Sequence, residues 1–442
     1  MLRSGEWSAS DLTTQTLARI QRLDGYLHAF SEVYADQAMR AARVADQRLR
    51  AGERLGALHG IPVALKDNVD FAGRRTRAGS SLLSGECATR HAWITQRLLE
   101  CGAIIVGKTH MVELALGSWG TNDVMGTPRN PWSDSEHLSP GGSSSGSAVA
   151  VAAGMVPLAI GTDTGGSVRV PAAFCGVTGF KPTVGRISTA GIVPLSTTLD
   201  TVGLLVPAAE DAAVAFAALI GDDTCTLDSI EALSLAGVRI GYLSDDHLAG
   251  VQPEILAAYC QIMAKFREDG AHLRPLEIRG NLDDQAEIVN TIIVTEALAS
   301  WGHLASDELA PMDPAVRARM LAGRSISGAE YVRVLRARDE LKTFFKRDFG
   351  DLDVFVTPTT QWTAQRVARL NHARPPARYS RIANLLDLCS ISVQAGFDQN
   401  GLPIGMQIAS RSHCDARVLG VARALQARTR WHERRWFAND GK

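Results

Sequence analysis

This sequence of 442 residues has no cysteine framework, no long apolar run and no excess of either charge. Its seven cysteines (Cys87, Cys101, Cys175, Cys225, Cys260, Cys389 and Cys414) are odd in number and scattered, without a C-x-x-C pair. That excludes a disulfide framework and a structural zinc site, and most of the seven are expected to be small buried apolar residues. The longest apolar stretch, Ala148 to Ile160, is interrupted by Gly154 and Pro157 and falls short of the roughly 18 residues that cross a bilayer, so no membrane partner is expected. Met1 to Leu12 carries Arg3, Glu6 and Asp11 where a secretory signal would need an apolar core, which makes the cytoplasm the expected location. Lys and Arg (46) nearly cancel Asp and Glu (47), so there is no basic excess for nucleic acid and a small or neutral partner fits better.

Hydrophobic residues at 45% and charged residues at 21% are those of a folded globular chain, not a disordered one or a coiled coil. Two helical patterns open the sequence, at about Ser10 to Leu23 and Tyr34 to Arg50, and read as a flanking helical arm over residues 1–57. From Leu58 short apolar runs (Ile61 to Leu65, Ala103 to Val106, Pro157 to Ile160) alternate with helical stretches (Trp93 to Cys101, Ser147 to Ala153), the texture of an α/β layer fold. The alternation continues beyond Val206. Helices are expected near Ala208 to Leu219, Pro253 to Phe266, Ser327 to Phe349 and Asp415 to Arg428, and strands at Val238 to Leu243, Val354 to Val356 and Ile404 to Ile408. No repeat is visible, and the Gly141 to Ser147 patch is too short for a linker.

Three segments carry the chemistry. Lys66 ends the apolar run Val63-Ala64-Leu65. A lysine there either leaves the sheet for solvent or is buried at the strand's end, where desolvation disfavours its charge and makes it a base near neutral pH. Gly141-Gly142-Ser143-Ser144-Ser145-Gly146-Ser147 is either a turn or a helix start whose free N–H groups favour negative charge. No G-K-[ST] follows, so it is not a phosphate loop. Gly161-Thr162-Asp163-Thr164-Gly165-Gly166-Ser167-Val168-Arg169 is a tight turn or an oxyanion hole, its two glycines leaving the backbone donors unobstructed.

Taken together, these segments resemble the amidase signature family of serine amidohydrolases, whose catalytic set is Ser-cisSer-Lys. As in that family, Ser167 stands 24 positions after Ser143. The resemblance implies Ser167 as nucleophile, Ser143 as the serine in cis peptide geometry and Lys66 as base. It implies an oxyanion hole of the Thr164, Gly165, Gly166 and Ser167 N–H groups, with Asp163, Arg169 and Ser144 as structural support and no metal or cofactor. It implies a single α/β domain over 1–442, a central mixed sheet covered by helices on both faces, with the signature core at 58–206 and the rest of the sheet at 207–442. Agreement is close from Leu58 to Leu205 and looser elsewhere, and residues 244–380 are expected to shape the substrate pocket.

The activity so implied is hydrolysis of a linear carboxamide, with a small-molecule amide as partner and a homodimer left open. Ser143 would relay a proton from Ser167 to neutral Lys66 and return one to the leaving amine. Gln361, where Pro often follows Pro-Thr-Thr, departs from the family pattern. So does Ser188-Thr189-Ala190-Gly191, which lacks an Arg-Tyr pair and makes the glutaminase-type subunit of a tRNA amidotransferase the alternative, not the first reading. An α/β-hydrolase esterase using Ser144 in G-x-S-x-G, with His413 or His432, would need a strand running into the elbow, where the sequence reads as loop. A binding protein with a dead site is disfavoured because all three reacting side chains are present. A metal-dependent amidohydrolase is disfavoured because the eleven histidines form no H-x-H or H-E-x-x-H.

Overall fold

Continuous apolar runs become strands buried on both faces. In the computed structural model, which describes residues 2, 6–53, 55–83, 87–221, 230 and 233–436, eleven strands form one mixed sheet. They are β1 (Phe30–Val33), β2 (Pro62–Lys66), β3 (Ile104–Thr109), β4 (Leu158–Asp163), β5 (Thr178–Lys181), β6 (Thr201–Val206), β7 (Arg239–Tyr242), β8 (His272–Pro275), β9 (Val354–Pro358), β10 (Cys389–Phe397) and β11 (Pro403–Ser410). The order is β1-β3-β2-β4-β6-β5-β10-β11-β9-β7-β8. Strand β2 runs parallel to both neighbours, with Leu65 opposite Lys108 and Ile160, whereas β4 meets β6 antiparallel.

Alternation along the inner strands divides the core in two. Val63, Leu65, Ile105, Leu158 and Ile160 join the larger apolar cluster on one face, and Ala64, Ile104, Val106 and Ala159 join the smaller one on the other. That smaller cluster is roofed by the N-terminal helices and by helix Ser145–Ala152, all eight of whose residues are buried. Lys66 follows Ala64 in the two-residue alternation, so it falls on the face where this helix begins.

Several expectations need correction. The segment 1–57 does hold helices Ala9–Leu27 and Ala35–Arg50, but it also supplies β1, which pairs antiparallel with β3 as the sheet edge. The sequence reading also omitted β10, which lies inside the sheet, and helix Leu282–Ala305. Of the described cysteines only Cys175 and Cys389 are buried; Cys101 and Cys414 are half-buried, and Cys87 and Cys260 are exposed. Cys225 lies outside the described residues. Among the described residues no helix is long and apolar enough to cross a membrane.

Candidate active site

Lys66 is the last residue of β2 and has no exposed surface. Its Nζ lies 2.8 Å from Ser143 Oγ and 2.7 Å from Thr162 Oγ1, and Thr162 Oγ1 also accepts from Asn68 Nδ2 at 3.1 Å. Burial pushes the ammonium down from its ordinary 10.5 to about 7, against the opposing pull of Asp200 and Asp163. Near neutral pH this lysine therefore exchanges readily between charged and neutral forms.

Ser143 lies just before helix Ser145–Ala152, and the Gly142–Ser143 peptide is cis. Its neighbour Ser144 is tied to the sheet instead: Ser144 Oγ donates to Thr162 O at 3.2 Å and accepts from Thr162 N–H at 3.3 Å. The stretch from Gly120 to Gly142 contains no strand, and His413 is exposed on a turn. Neither His413 nor His432 makes a hydrogen bond to Ser144 among the described residues, so the geometry an α/β-hydrolase elbow needs is missing.

The third segment leaves the end of β4. Ser144 N–H donates to Ser167 O at 3.1 Å, which joins the two serine-bearing loops directly. Gly166 has φ +118°, and a Cβ placed there would strike Ser380 Oγ, so only glycine fits the turn. Its N–H donates to Asp163 Oδ1 at 2.8 Å and is thus already engaged. Among the described residues the N–H groups of Thr164, Gly165 and Ser167 have no protein acceptor, which makes them the three donors of the loop open to an incoming oxyanion. Among the described residues Ser143 Oγ is bonded to Lys66 Nζ and not to Ser167 Oγ.

Asp163 and Arg169 form a buried ion pair behind the loop, with Arg169 Nε 3.0 Å from Asp163 Oδ2 and Nη2 2.7 Å from Oδ1. Burial alone would raise the Asp163 carboxyl, but the Arg169 guanidinium beside it holds it well below the usual carboxylate range. Arg169 also donates to Ser380 O at 2.6 Å, Gln407 Oε1 at 2.5 Å and Asn384 Oδ1 at 2.6 Å, all from the last fifth of the chain.

Two residues the sequence reading did not single out belong here. Thr162, though inside the quoted motif, was not given its part in holding Lys66. Asp200 accepts from Thr164 Oγ1 at 2.5 Å and from the N–H groups of Leu195 and Ser196, and burial raises its carboxyl to about 6. An acid placed directly before the apolar run Thr201 to Val206 was the available signal. Among the described residues no group of three His, Cys, Asp or Glu side chains is arranged to hold a metal.

The comparisons with known proteins agree on one family. The family model described as Amidase matches residues 11–419. A curated relative, a glutamyl-tRNA(Gln) amidotransferase subunit from Thermosynechococcus vestitus, is 36% identical over 97% of this chain and 96% of its own. A solved chain from an inhibitor-bound vestigial protein complex, described as revealing the evolutionary origins of an s-triazine catabolic enzyme, superposes with a TM-score of 0.90 at 27% identity, covering 97% of this chain and 96% of that one. The native peptide amidase of Stenotrophomonas maltophilia superposes with a TM-score of 0.84 at 30% identity, covering 97% and 95%. The departure at Ser188 to Gly191 therefore does not separate the sequence from the amidotransferase subunits as far as expected. The chain belongs to the Amidase family.

Proposed function

We propose that the protein hydrolyses a carboxamide C–N bond through an acyl-enzyme on Ser167. The carrying observation is Lys66: fully buried, pushed down to about 7, and 2.8 Å from the Ser143 hydroxyl. A serine hydroxyl is a weak nucleophile until a base takes its proton, and a neutral Lys66 is the base this site offers. Ser167 Oγ attacks the carbonyl carbon, its proton passes to Ser143 Oγ, and the Ser143 proton passes to Lys66 Nζ. The tetrahedral oxyanion accepts from the N–H groups of Thr164, Gly165 and Ser167, each such donor contributing on the order of 3 kcal/mol. Ser143 then returns a proton to the leaving nitrogen, the C–N bond breaks, and water repeats the sequence on the ester to release the acid. Asp163, Arg169 and Ser144 fix the loops from behind.

A second reading has a specific support. The curated relative from Thermosynechococcus vestitus is named as a subunit of glutamyl-tRNA(Gln) amidotransferase, which favours the same hydrolysis applied within an amidotransferase assembly. The two readings share the bond cleaved and differ in substrate and company. Release of ammonia from L-glutamine by the isolated chain, set beside release from simple aliphatic, aryl and peptide amides, separates them.

The nucleophile is tested by trapping. An activated fluorophosphonate should label the peptide holding Thr162 to Arg169, and Ser143→Ala should slow labelling without moving it. An adduct on Ser144 would overturn the assignment.

A further inference from the structure

Burial is not the only influence on Lys66. As an ammonium it has three N–H groups, and three oxygens stand around it: Ser143 Oγ at 2.8 Å, Thr162 Oγ1 at 2.7 Å and Thr162 O at 3.5 Å. The shortest of these contacts is to a hydroxyl that passes no proton in the hydrolysis. An acceptor so close favours the charged lysine, whereas a base for Ser143 has to be uncharged.

Asn68 bears on the same oxygen. Strand β2 ends at Lys66, and Val69 N–H donates to Lys66 O at 3.0 Å, so the chain turns and brings Asn68 back beside the lysine. Val193 N–H pins the turn by donating to Asn68 O at 2.9 Å. Asn68 is buried, and its Nδ2 donates to Thr162 Oγ1 at 3.1 Å, while its Oδ1 has no hydrogen-bond partner among the described residues. A buried amide with an unmatched oxygen is a cost to the fold that packing alone does not explain. Asp67 does not take this place, because its carboxylate lies 3.6 Å from Lys108 Nζ. The charges that act on Lys66 are Asp200, just before β6, and Asp163, at the end of β4 and paired with Arg169; both favour the ammonium, against its burial.

We propose that Asn68 is a positioning residue for the base: its amide N–H competes with Lys66 for Thr162 Oγ1, so that this oxygen holds the ammonium less firmly and Lys66 is left able to take the Ser143 proton. Two donors on one hydroxyl oxygen draw on the same electron density, and each is bound more weakly than it would be alone. The inference rests on Lys66 as the base of amide hydrolysis and adds the group that tunes it.

The test follows two readouts against pH: the acid limb of kcat/KM for amide hydrolysis, and the 13Cε resonance of Lys66 in protein carrying labelled lysine, identified by its absence from Lys66→Met. Asn68→Ala, and Asn68→Leu as a second variant that keeps the volume, should each move both midpoints to higher pH by on the order of half a unit. Thr162→Val, which removes the contested oxygen, should move them to lower pH. Circular dichroism confirms that each variant is folded. Midpoints unmoved or lowered in the folded Asn68 variants overturn the proposal, because an amide that merely supported Thr162 would act in the same direction as Thr162 itself. Midpoints unmoved in Thr162→Val overturn it too. If the wild type hydrolyses no amide, the amidase reading fails, and the 13Cε titrations decide the role of Asn68 by the same signs.

Discussion

Replacing Lys66 with methionine keeps a stem of similar length and removes the one group whose charge the interior penalises. The lysine goes from its ordinary 10.5 in the unfolded chain to about 7 in the fold, so between those values the unfolded chain binds more protons and stability rises with pH. At 1.36 kcal/mol for each pH unit, the wild type carries a penalty of about 5 kcal/mol near pH 6 and about 2 kcal/mol near pH 9. Methionine carries none at either pH. It forfeits the bonds to Ser143 Oγ and Thr162 Oγ1, a loss of about 1 kcal/mol each that changes little with pH. Lys66→Met should therefore be more stable than the wild type by about 3 kcal/mol near pH 6 and about equal to it near pH 9. Urea unfolding of both proteins at the two pH values, followed by circular dichroism, measures the difference directly. An equal stability change at both pH values would refute the reasoning, because it would mean that Lys66 holds its proton throughout.

Three further outcomes follow from the same geometry. The kcat/KM for amide hydrolysis should fall about tenfold per pH unit below about 7 as Lys66 takes up its proton, and Asp200→Asn, which removes a charge that favours the ammonium, should move that limb to lower pH; a profile unmoved in Asp200→Asn counts against the assigned base. Gly166→Ala should abolish activity and lower the melting temperature, because a Cβ at φ +118° meets Ser380 Oγ, and a fully active variant would show that the loop tolerates another shape. Asp163→Asn should cost about 3–5 kcal/mol by leaving Arg169 buried without its partner. Since the Asp163 pKa lies below its unfolded value, the wild-type advantage in urea should be complete at neutral pH and shrink as pH falls below that unfolded value of 3.8.

The parts of the site legible in the sequence were those carried by contiguous motifs. Lys66 at the end of an apolar run, a Gly/Ser loop opening a helix, and two glycines before Ser167 each state a local backbone requirement. The sheet was less evenly legible. Strand β10 escaped because only one of its two buried faces is apolar, Ile391, Val393 and Ala395 alternating with buried Ser390, Ser392 and Gln394, so it shows no continuous apolar run like those of the other inner strands. Helix Leu282–Ala305 escaped because apolar residues spread around it with little one-sided bias, leaving no clear stripe at helical spacing. The distant partners of the loop residues were hidden for a different reason. Asp200 reaches Thr164 across 36 positions, and Asn384 reaches Arg169 across 215, distances over which one sequence records no pairing. The exposed Cys87 and Cys260 were misjudged because burial of a thiol was inferred from residue type alone.

Arg169 also bears on when the enzyme comes of age during synthesis. Its partners Ser380, Asn384 and Gln407 leave the ribosome more than 200 residues after it does. Until they arrive, a guanidinium destined for a dry interior has only Asp163 to meet it, and the turn at Gly166 lacks the backing of Ser380. Contacts so distant along the chain form late, because closing long loops costs entropy before any reward is gained. A nascent chain can thus carry Lys66, Ser143 and Ser167 and still lack the finished turn at Gly166. The backing of this loop therefore waits for segments synthesised more than 200 residues after it.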